Sequence, residues 1–214
     1  MIDFAGIGVK VHRTPVLRDL DLTVDPGQVV GIVGANGAGK TTLLQVAATL
    51  HRPADGTARV LGADLRGTVP PGLRRSICLV GHEAALYPQL SLRENLHFVA
   101  AVLGQSTRAA DDALDTVGLG RAADRRVRQC SQGMVRRADL ARVLMVRPKL
   151  LLLDEPHAGL DPAAGDLVDF LVGEVRGHGG AALVVSHDRA RLDLLADRVL
   201  ELTEGELVPA RRLP

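Results

Sequence analysis

A glycine-rich segment restricts the fold of this chain more than any other part of its sequence. Residues 33–46 read VGANGAGKTTLLQV and lie between a short apolar run, residues 28–33, and a stretch with the apolar spacing of a helix. The segment matches the pattern G-x-x-x-x-G-K-[ST], whose fixed positions are Gly34, Gly39, Lys40 and Thr41. The pattern predicts a phosphate-binding loop between a strand and a helix. The alternative is an ordinary glycine-rich turn.

The residue types of this loop fit the binding of a nucleoside triphosphate. Glycine lets the backbone turn tightly and approach a ligand closely, and a helix that begins near Lys40 directs unpaired amides at the same place. Lys40 can reach the β- and γ-phosphates, and the Thr41 hydroxyl can ligate Mg²⁺. We therefore expect ATP contacts along the whole loop, from Gly34, Asn36, Gly37, Ala38, Gly39, Lys40, Thr41 and Thr42.

A second candidate site is the segment LLLLDEP, residues 150–156. Four consecutive leucines predict a strand that is buried on both faces of a parallel sheet. Ligands bind at the carboxyl ends of such strands. Asp154 is therefore placed to hold Mg²⁺ through water, and Glu155 to accept a proton from an attacking water. The alternative is a solvated acidic pair at a strand end.

The rest of the chain alternates between strand and helix patterns, which predicts an α/β fold in a single domain over residues 1–214. Between residues 87 and 146 only helices and turns are predicted, which indicates a helical subdomain inserted in the core. Strands are expected at 2–11, 20–24, 28–33, 57–61, 77–80, 150–153, 181–185 and 198–202. Helices are expected at 40–50, 91–103, 106–117, 163–176 and 189–196, and a further helix opens at 131–133 and runs to about 146. Ser91 and Glu94 form a capping box at the start of the second helix. A loose tail is expected at 209–214.

Composition excludes several classes of protein. The net charge of +1 argues against a broad nucleic-acid surface, and aromatic residues make up only 2% of the chain, which leaves few platforms for base stacking. Cys78 and Cys130 lack the spacing of a zinc site or a disulfide framework. We see no secretory leader and no apolar run of 18 residues, so we expect no membrane-spanning segment.

Four further segments, together with the two candidate sites, resemble the ATP-binding-cassette (ABC) ATPases of transporters. Residues 130–134, Cys-Ser-Gln-Gly-Met, stand where that family has its signature, usually Leu-Ser-Gly-Gly-Gln. Residues 159–161 resemble the family's D-loop, residues 184–188 its histidine switch, and residues 80–82 its Q-loop. Their order and spacing match the family over nearly the whole chain.

The resemblance implies a fold and a mode of assembly. The fold is a P-loop NTPase core with a mixed sheet, an antiparallel N-terminal β part and a small helical subdomain. Two copies of the chain, or one copy and a similar ATPase subunit, would close around two ATP molecules and drive a separate transmembrane subunit. The chain itself would lie peripherally at the cytoplasmic face of the cell membrane.

The resemblance also assigns roles to individual residues. Ser131, Gln132 and Gly133 would grip the ATP held by the partner copy. His187 would contact the γ-phosphate and the attacking water, unless it is a surface histidine at a strand end. Asp161 would link the two ATP sites across the dimer, a role that is compatible with capping a helix before Pro162.

Three features depart from the family pattern. The signature keeps Ser131 and Gly133 but differs at the neighbouring positions. His82 occupies the Q-loop position that usually holds glutamine, and we include it with Glu155 and His187 among the candidate catalytic residues. A histidine offers a ring nitrogen to a metal only when unprotonated. The alternative is that His82 faces the membrane subunit or solvent while Glu83 or Gln89 serves the metal. The aromatic residue that usually stacks on adenine is missing, so Val11, His12 or other apolar atoms would contact the base.

The departures resemble one branch of the family in particular. A Gly-His pair at the Q-loop and a short chain are similar to the heme-exporter ATPase subunit of cytochrome c maturation. The runner-up is the motor of a multidrug or polysaccharide exporter, in which Ser-x-Gly-Met signatures are frequent. ABC ATPases that act on DNA or ribosomes usually carry coiled-coil inserts or two cassettes, neither of which occurs here, so no nucleic-acid partner is expected. A non-hydrolysing scaffold would be expected to lack Glu155 or Ser131, and both are present.

Overall fold

The computed structural model describes residues 1–158 and 162–210, except for the side chains of residues 162–164. The described residues form ten strands and six α-helices. The strands are β1 Ile2–Val11, β2 Thr14–Val24, β3 Val29–Val33, β4 Asp55–Val60, β5 Ala63–Asp64, β6 Ile77–Val80, β7 Leu150–Asp154, β8 Ala181–Val185, β9 Arg198–Thr203 and β10 Glu206–Pro209. The helices are α1 Lys40–Ala47, α2 Leu92–Leu103, α3 Thr107–Thr116, α4 Gln132–Val146, α5 Pro162–Gly177 and α6 Arg189–Leu195.

The chain divides into two compact units. The first contains Met1–Leu79, Pro148–Pro156 and the chain from Val172 onward, and the second contains Val80–Arg147 and His157–Leu171. The predicted helical insert over residues 87–146 falls within the second unit.

Two sheets organise the strands. A six-stranded sheet has the order β10-β9-β3-β8-β7-β6, in which β9, β3, β8 and β7 run parallel and β10 runs antiparallel to β9. A four-stranded antiparallel sheet has the order β2-β1-β4-β5. The predicted α/β class, with a mixed sheet and an antiparallel N-terminal part, is confirmed.

Burial explains why the central strands carry such apolar sequences. Every residue of β7 and β8 is buried, as expected for parallel strands that are covered on both faces. Together with α1 and the N-terminal strands, these strands form one apolar core in the first unit. The core fixes the positions of the loops that leave the carboxyl ends of β3, β7 and β8.

The second unit has its own core, built by α2, α3 and α4. Helix α2 begins with the predicted capping box: the Ser91 side chain accepts a hydrogen bond from the Glu94 amide, and the Glu94 side chain accepts one from the Ser91 amide. Ser131 caps α4 in the same way by accepting from the amide of Met134. Both helix starts lie where the capping residues predict them.

Several element boundaries differ from those predicted. Strand β2 begins at Thr14 rather than at residue 20, after a tight turn in which His12 and Arg13 both have positive φ. The two-residue strand β5 and the four-residue strand β10 were not predicted. Helix α1 ends at Ala47 rather than at residue 50, and Thr49 then adopts a φ of 62°. Pro209 belongs to β10 rather than to a tail, and residues 211–214 lie outside the described residues.

Candidate nucleotide-binding site

The glycine-rich loop connects β3 to α1 with backbone that other residues rarely adopt. Gly34, Gly37 and Gly39 have φ values of 155°, 83° and 105°. A Cβ atom on Gly34 would lie 2.4 Å from the carbonyl oxygen of Leu202. The loop path therefore depends on glycine for conformation at all three positions and, at Gly34, for space as well.

Lys40 is held over this loop. It is 8% exposed, and its Nζ donates hydrogen bonds to the carbonyl oxygens of Gly34 at 2.8 Å and Ala35 at 2.9 Å. Gly39 is the N-cap residue of α1 and has no side chain to satisfy the first amides of the helix. The ammonium group and these amides are the anion-binding groups expected of a phosphate loop.

Thr41 and Asp154 come together although 113 residues separate them in sequence. The Thr41 hydroxyl donates to Asp154 Oδ2 over 2.7 Å. Asp154 ends β7 and is 4% exposed. One hydroxyl and one carboxylate fit Mg²⁺, because this ion prefers oxygen ligands. Protein-bound Mg²⁺ usually keeps several of its waters and also coordinates the phosphates of a nucleotide. Among the described residues, no three His, Cys, Asp or Glu side chains cluster as a metal site.

Glu155 and His187 form a second polar pair in the first unit. Oε2 of Glu155 lies 2.8 Å from Nδ1 of His187 and accepts a hydrogen bond of 3.3 Å from the Ser186 hydroxyl. Because an ionised carboxylate only accepts hydrogen bonds, the His187 ring must carry a proton on Nδ1 to make this bond. The Glu155 side chain is 19% exposed and that of His187 is 76% exposed, so the pair faces solvent on the histidine side.

The backbone holds Glu155 in an uncommon conformation. Its φ is 47°, and its amide donates to the carbonyl of Val185 at 2.9 Å, which extends the pairing of β7 with β8 by one residue. A positive φ in a residue other than glycine costs energy, and here it turns the side chain of Glu155 away from the strand path. Sequence reasoning did not identify Ser186 as a member of this site, although it lies next to His187 in the segment 184–188.

The predicted adenine contact lies in the N-terminal sheet. Val11 ends β1, is half-buried and pairs with Thr14 across the tight turn. A Cβ atom on Gly39 would lie 2.9 Å from Leu17 and 3.0 Å from Val16. Val16 and Leu17 belong to strand β2, which begins directly after that turn, so β2 packs against the phosphate loop.

The remaining site residues predicted from the sequence belong to the second unit. His82 and Glu83 follow β6 and are exposed. Ser131 and Gln132 are exposed at the start of α4, and Gly133 is half-buried. The thiol of Cys130 donates to the carbonyl of Arg126 at 3.3 Å, and burial raises its pKa, which keeps it protonated. Asp161 and the rest of the predicted D-loop lie outside the described residues.

The glycine loop, its buried lysine and the acidic residues at the end of β7 define a P-loop nucleotide-binding protein. Comparison with known families gives the same class, since a family model described as ABC transporter matches residues 17–158. The chain is 38% identical over 204 residues to the cytochrome c biogenesis ATP-binding export protein CcmA 2 of Cupriavidus metallidurans, covering 92% of this chain and 96% of that protein. It is 40% identical over 212 residues to the daunorubicin/doxorubicin resistance ATP-binding protein DrrA of Streptomyces peucetius, covering 97% of this chain but 64% of that protein.

Solved structures share the fold. The structure described as the ATP binding subunit of an ABC transporter superposes with a TM-score of 0.87 at 26% identity and covers 97% of this chain and 88% of the other. A dimeric ATP-binding cassette in a post-hydrolysis state, bound to ADP and Pi, also gives a TM-score of 0.87, and the alignment covers 100% of both chains. Because the two sequences are only 24% identical, this likeness shows the fold alone.

The chain belongs to the ABC transporter family, and within that family it is an ATP-hydrolysing cassette. Among its described residues, no helix combines the length and the apolar character needed to cross a bilayer.

Proposed function

We propose that this cassette is the motor subunit of an exporter, in which two copies close around two MgATP and drive a separate membrane subunit. The observation that carries the proposal is the grouping of Lys40, Thr41, Asp154, Glu155 and His187 in the first unit, at the carboxyl ends of β3, β7 and β8. These groups match the binding, metal-holding and proton-accepting parts of a phosphoryl-transfer site.

ATP binding would begin at the loop. The Lys40 ammonium leaves the carbonyls of Gly34 and Ala35 for the β- and γ-phosphate oxygens, which carry full charge and are stronger acceptors. The amides of Asn36, Gly37, Ala38 and Gly39 and those of Lys40, Thr41 and Thr42 complete the cradle. Val11 would support the adenine ring.

Mg²⁺ would be held by Thr41 directly and by Asp154 through water. When bound, it neutralises charge on the β- and γ-phosphates. The hydrogen bond between the two side chains sets their oxygens 2.7 Å apart, so both lie close to where one ion would bind.

Hydrolysis assigns Glu155 as general base. Oε of Glu155 takes a proton from a water molecule as its oxygen attacks the γ-phosphorus and the bond to the ADP oxygen breaks. Nδ1–H of His187 donates to Glu155, which orients the imidazole toward the γ-phosphate and the water. Ser186 would help to fix the carboxylate. His82 would act near the metal in place of a glutamine.

Ser131, Gln132 and Gly133 would serve the ATP of the second copy. Ser131 caps the 15-residue helix α4, and Gln132 and Gly133 lie in its first turn, where the N-terminus favours an anion. Asp161 would connect the two ATP sites. Each ATP would thus be gripped by two chains, and hydrolysis would let them separate.

An exposed apolar surface in the second unit supports a membrane-subunit partner. Tyr87, Phe98 and Val102 are 57%, 51% and 60% exposed, and the rings of Tyr87 and Phe98 meet edge to face at 5.7 Å between centroids. Such side chains are typical of protein interfaces. The loop from His82 to Tyr87 and the helical insert would carry the motion to this partner, at the cytoplasmic face of the membrane and without nucleic acid.

Two relatives suggest the cargo. The alignment over 96% of a cytochrome c biogenesis export protein supports heme export for cytochrome c maturation. The 40% identity to a daunorubicin/doxorubicin resistance protein favours drug export as a second candidate. Deletion of the encoding gene separates them: heme export predicts loss of covalently bound heme from c-type cytochromes, and drug export predicts anthracycline sensitivity with normal cytochromes.

The Glu155→Gln variant tests the motor itself. It should bind ATP like the wild type but hydrolyse it about 10²-fold more slowly or worse, because the proton acceptor is lost while the phosphate contacts remain. It should also accumulate as an ATP-bound dimer in size-exclusion chromatography. Hydrolysis near the wild-type rate would reject Glu155 as the base.

A further inference from the structure

Helix α4 buries three charged side chains within two turns. Arg136 and Asp139 are 5% and 0% exposed, and the side chain of Arg142 is 15% exposed. Burying charge is costly unless each group finds partners of opposite charge or good hydrogen bonds. The hydrogen-bond and ion-pair partners of these three side chains therefore indicate why they are buried.

Two of the contacts are with the segment that follows β6, in the same unit. Oδ1 of Asp139 accepts a hydrogen bond from the amide of Ala85 at 3.2 Å, and Nη1 of Arg136 donates to the carbonyl of Gly81 at 2.5 Å. Arg142 orients the carboxylate, since its Nε and Nη2 lie 2.8 Å and 2.7 Å from Oδ1. Oδ2 of Asp139 lies 3.9 Å from Nη1 of Arg136.

These bonds hold both ends of one short loop. Gly81 and Ala85 flank His82 and Glu83, whose side chains are exposed. The bonds go to backbone atoms, so they fix the loop path and leave its side chains available. The same helix begins at Ser131, about 12 Å from Asp139 at 1.5 Å per residue.

We infer that Asp139, oriented by Arg142 and assisted by Arg136, is a positioning residue that makes the His82 loop and the start of α4 move as one body. The inference rests on the proposed function, in which the His82 loop responds to the ATP of its own chain and Ser131 grips that of the partner. A helix is stiff along its axis. A displacement of Gly81–Ala85 is thus passed to Ser131, which couples ATP binding in one site to closure on the other.

The test removes Asp139 and Arg142 together, so that neither is left facing the missing charge of the other, while Arg136 keeps its hydrogen bond to the Gly81 carbonyl. The double variant D139A/R142Q, in the Glu155→Gln background, removes the acceptor of the Ala85 amide. It should bind ATP as a monomer with an unchanged Kd, because the phosphate loop is in the first unit. It should need at least ~10-fold more ATP to form the dimer, the size typical of a coupling between sites. The matched control is R93Q/D124A, which removes another Arg–Asp pair of the second unit and should dimerise normally.

The outcomes separate the two proposals. Dimerisation of D139A/R142Q at the ATP concentration that suffices for Glu155→Gln alone would overturn the role of Asp139 only. Failure of Glu155→Gln itself to dimerise would overturn the proposed function, and this inference with it.

A second measurement keeps all three charged residues intact, in case the double variant does not fold. The Ser131→Arg variant should bind ATP without closing. In this variant, ATP should change amide hydrogen exchange both in residues 81–86 and in residues 132–137. The two changes should reach half of their maximum at the same ATP concentration. Protection of residues 34–42 reports that ATP has bound. A response in 34–42 without one in 132–137 would overturn the inference.

Discussion

Thr41 and Asp154 illustrate how much of the site depends on a single pair of side chains. Replacing Thr41 by alanine removes a proposed metal ligand and also leaves the buried Asp154 without this donor. We expect the Mg²⁺ concentration for half-maximal ATPase activity to rise about 10-fold or more, as for other lost metal-site partners. Thr41→Ser keeps the hydroxyl and should stay close to the wild type. Equal Mg²⁺ dependence in both variants would contradict the assignment.

Two glycines of the loop differ in what a side chain would meet. Gly34→Ala combines a φ of 155° with a Cβ only 2.4 Å from a backbone oxygen, whereas at Gly37 the φ is 83° and no heavy atom lies within 4 Å of the added Cβ. Gly37→Ala should therefore cost about 1–2 kcal/mol of unfolding free energy, from conformation alone. Gly34→Ala should cost more. Urea unfolding of the two variants measures the difference, and equal losses would show that the contact with Leu202 is unimportant.

The sequence predicted those site residues whose chemistry is local. Lys40 and Thr41 follow from one motif, and Asp154 and Glu155 from a buried strand that ends in acid. Ser186 and the charged residues of α4 were not predicted, because their roles depend on tertiary contacts that the local sequence does not indicate. Nothing local distinguishes Asp139 from the exposed acids of a helix until its bond to Ala85, 54 residues away, is seen.

At the scale of elements, the start of α2 should show a pH dependence. The amide of Ser91 donates to Glu94 at 2.7 Å, and this bond lowers the pKa of Glu94 from its usual value. A lowered pKa means that the ionised form stabilises the fold above the unfolded-state pKa of about 4.3. That stabilisation is lost as the pH falls through the lower, folded-state value.

Glu94→Gln isolates this charge effect, because glutamine can still accept the bond from Ser91. The wild type should be more stable than the variant at pH 7, and the difference should shrink as the pH is lowered toward 3. Urea unfolding over that pH range measures it, with Glu206→Gln on the exposed face of β10 as control. A difference that stayed constant with pH would reject the role of the Glu94 charge.

Elements were predicted well where a local signal was strong. The leucine run of β7, the Val-rich β8 and the capping box of α2 each carry one. The first half of β2 was missed because Pro15, Arg18 and Asp19 interrupt its pattern, and Asp19 has a φ of 40°. Strands β5 and β10 are too short for a periodic signal and depend on the strands they pair with.

At the scale of the whole molecule, the proposed dimer requires that substitutions at Lys40 and at Ser131 have different effects on ATP binding and dimerisation. Lys40→Ala should weaken ATP binding to the isolated chain by about 10–100-fold, because it removes hydrogen bonds from a charged donor. Ser131→Arg should leave that binding nearly unchanged, because Ser131 serves the ATP of the opposite chain, and it should abolish ATP-dependent dimerisation. ATP titration of the monomer and size-exclusion chromatography in the Glu155→Gln background measure the two effects. Loss of monomer binding in a folded Ser131→Arg variant would assign Ser131 to its own chain's ATP and reject the two-chain site.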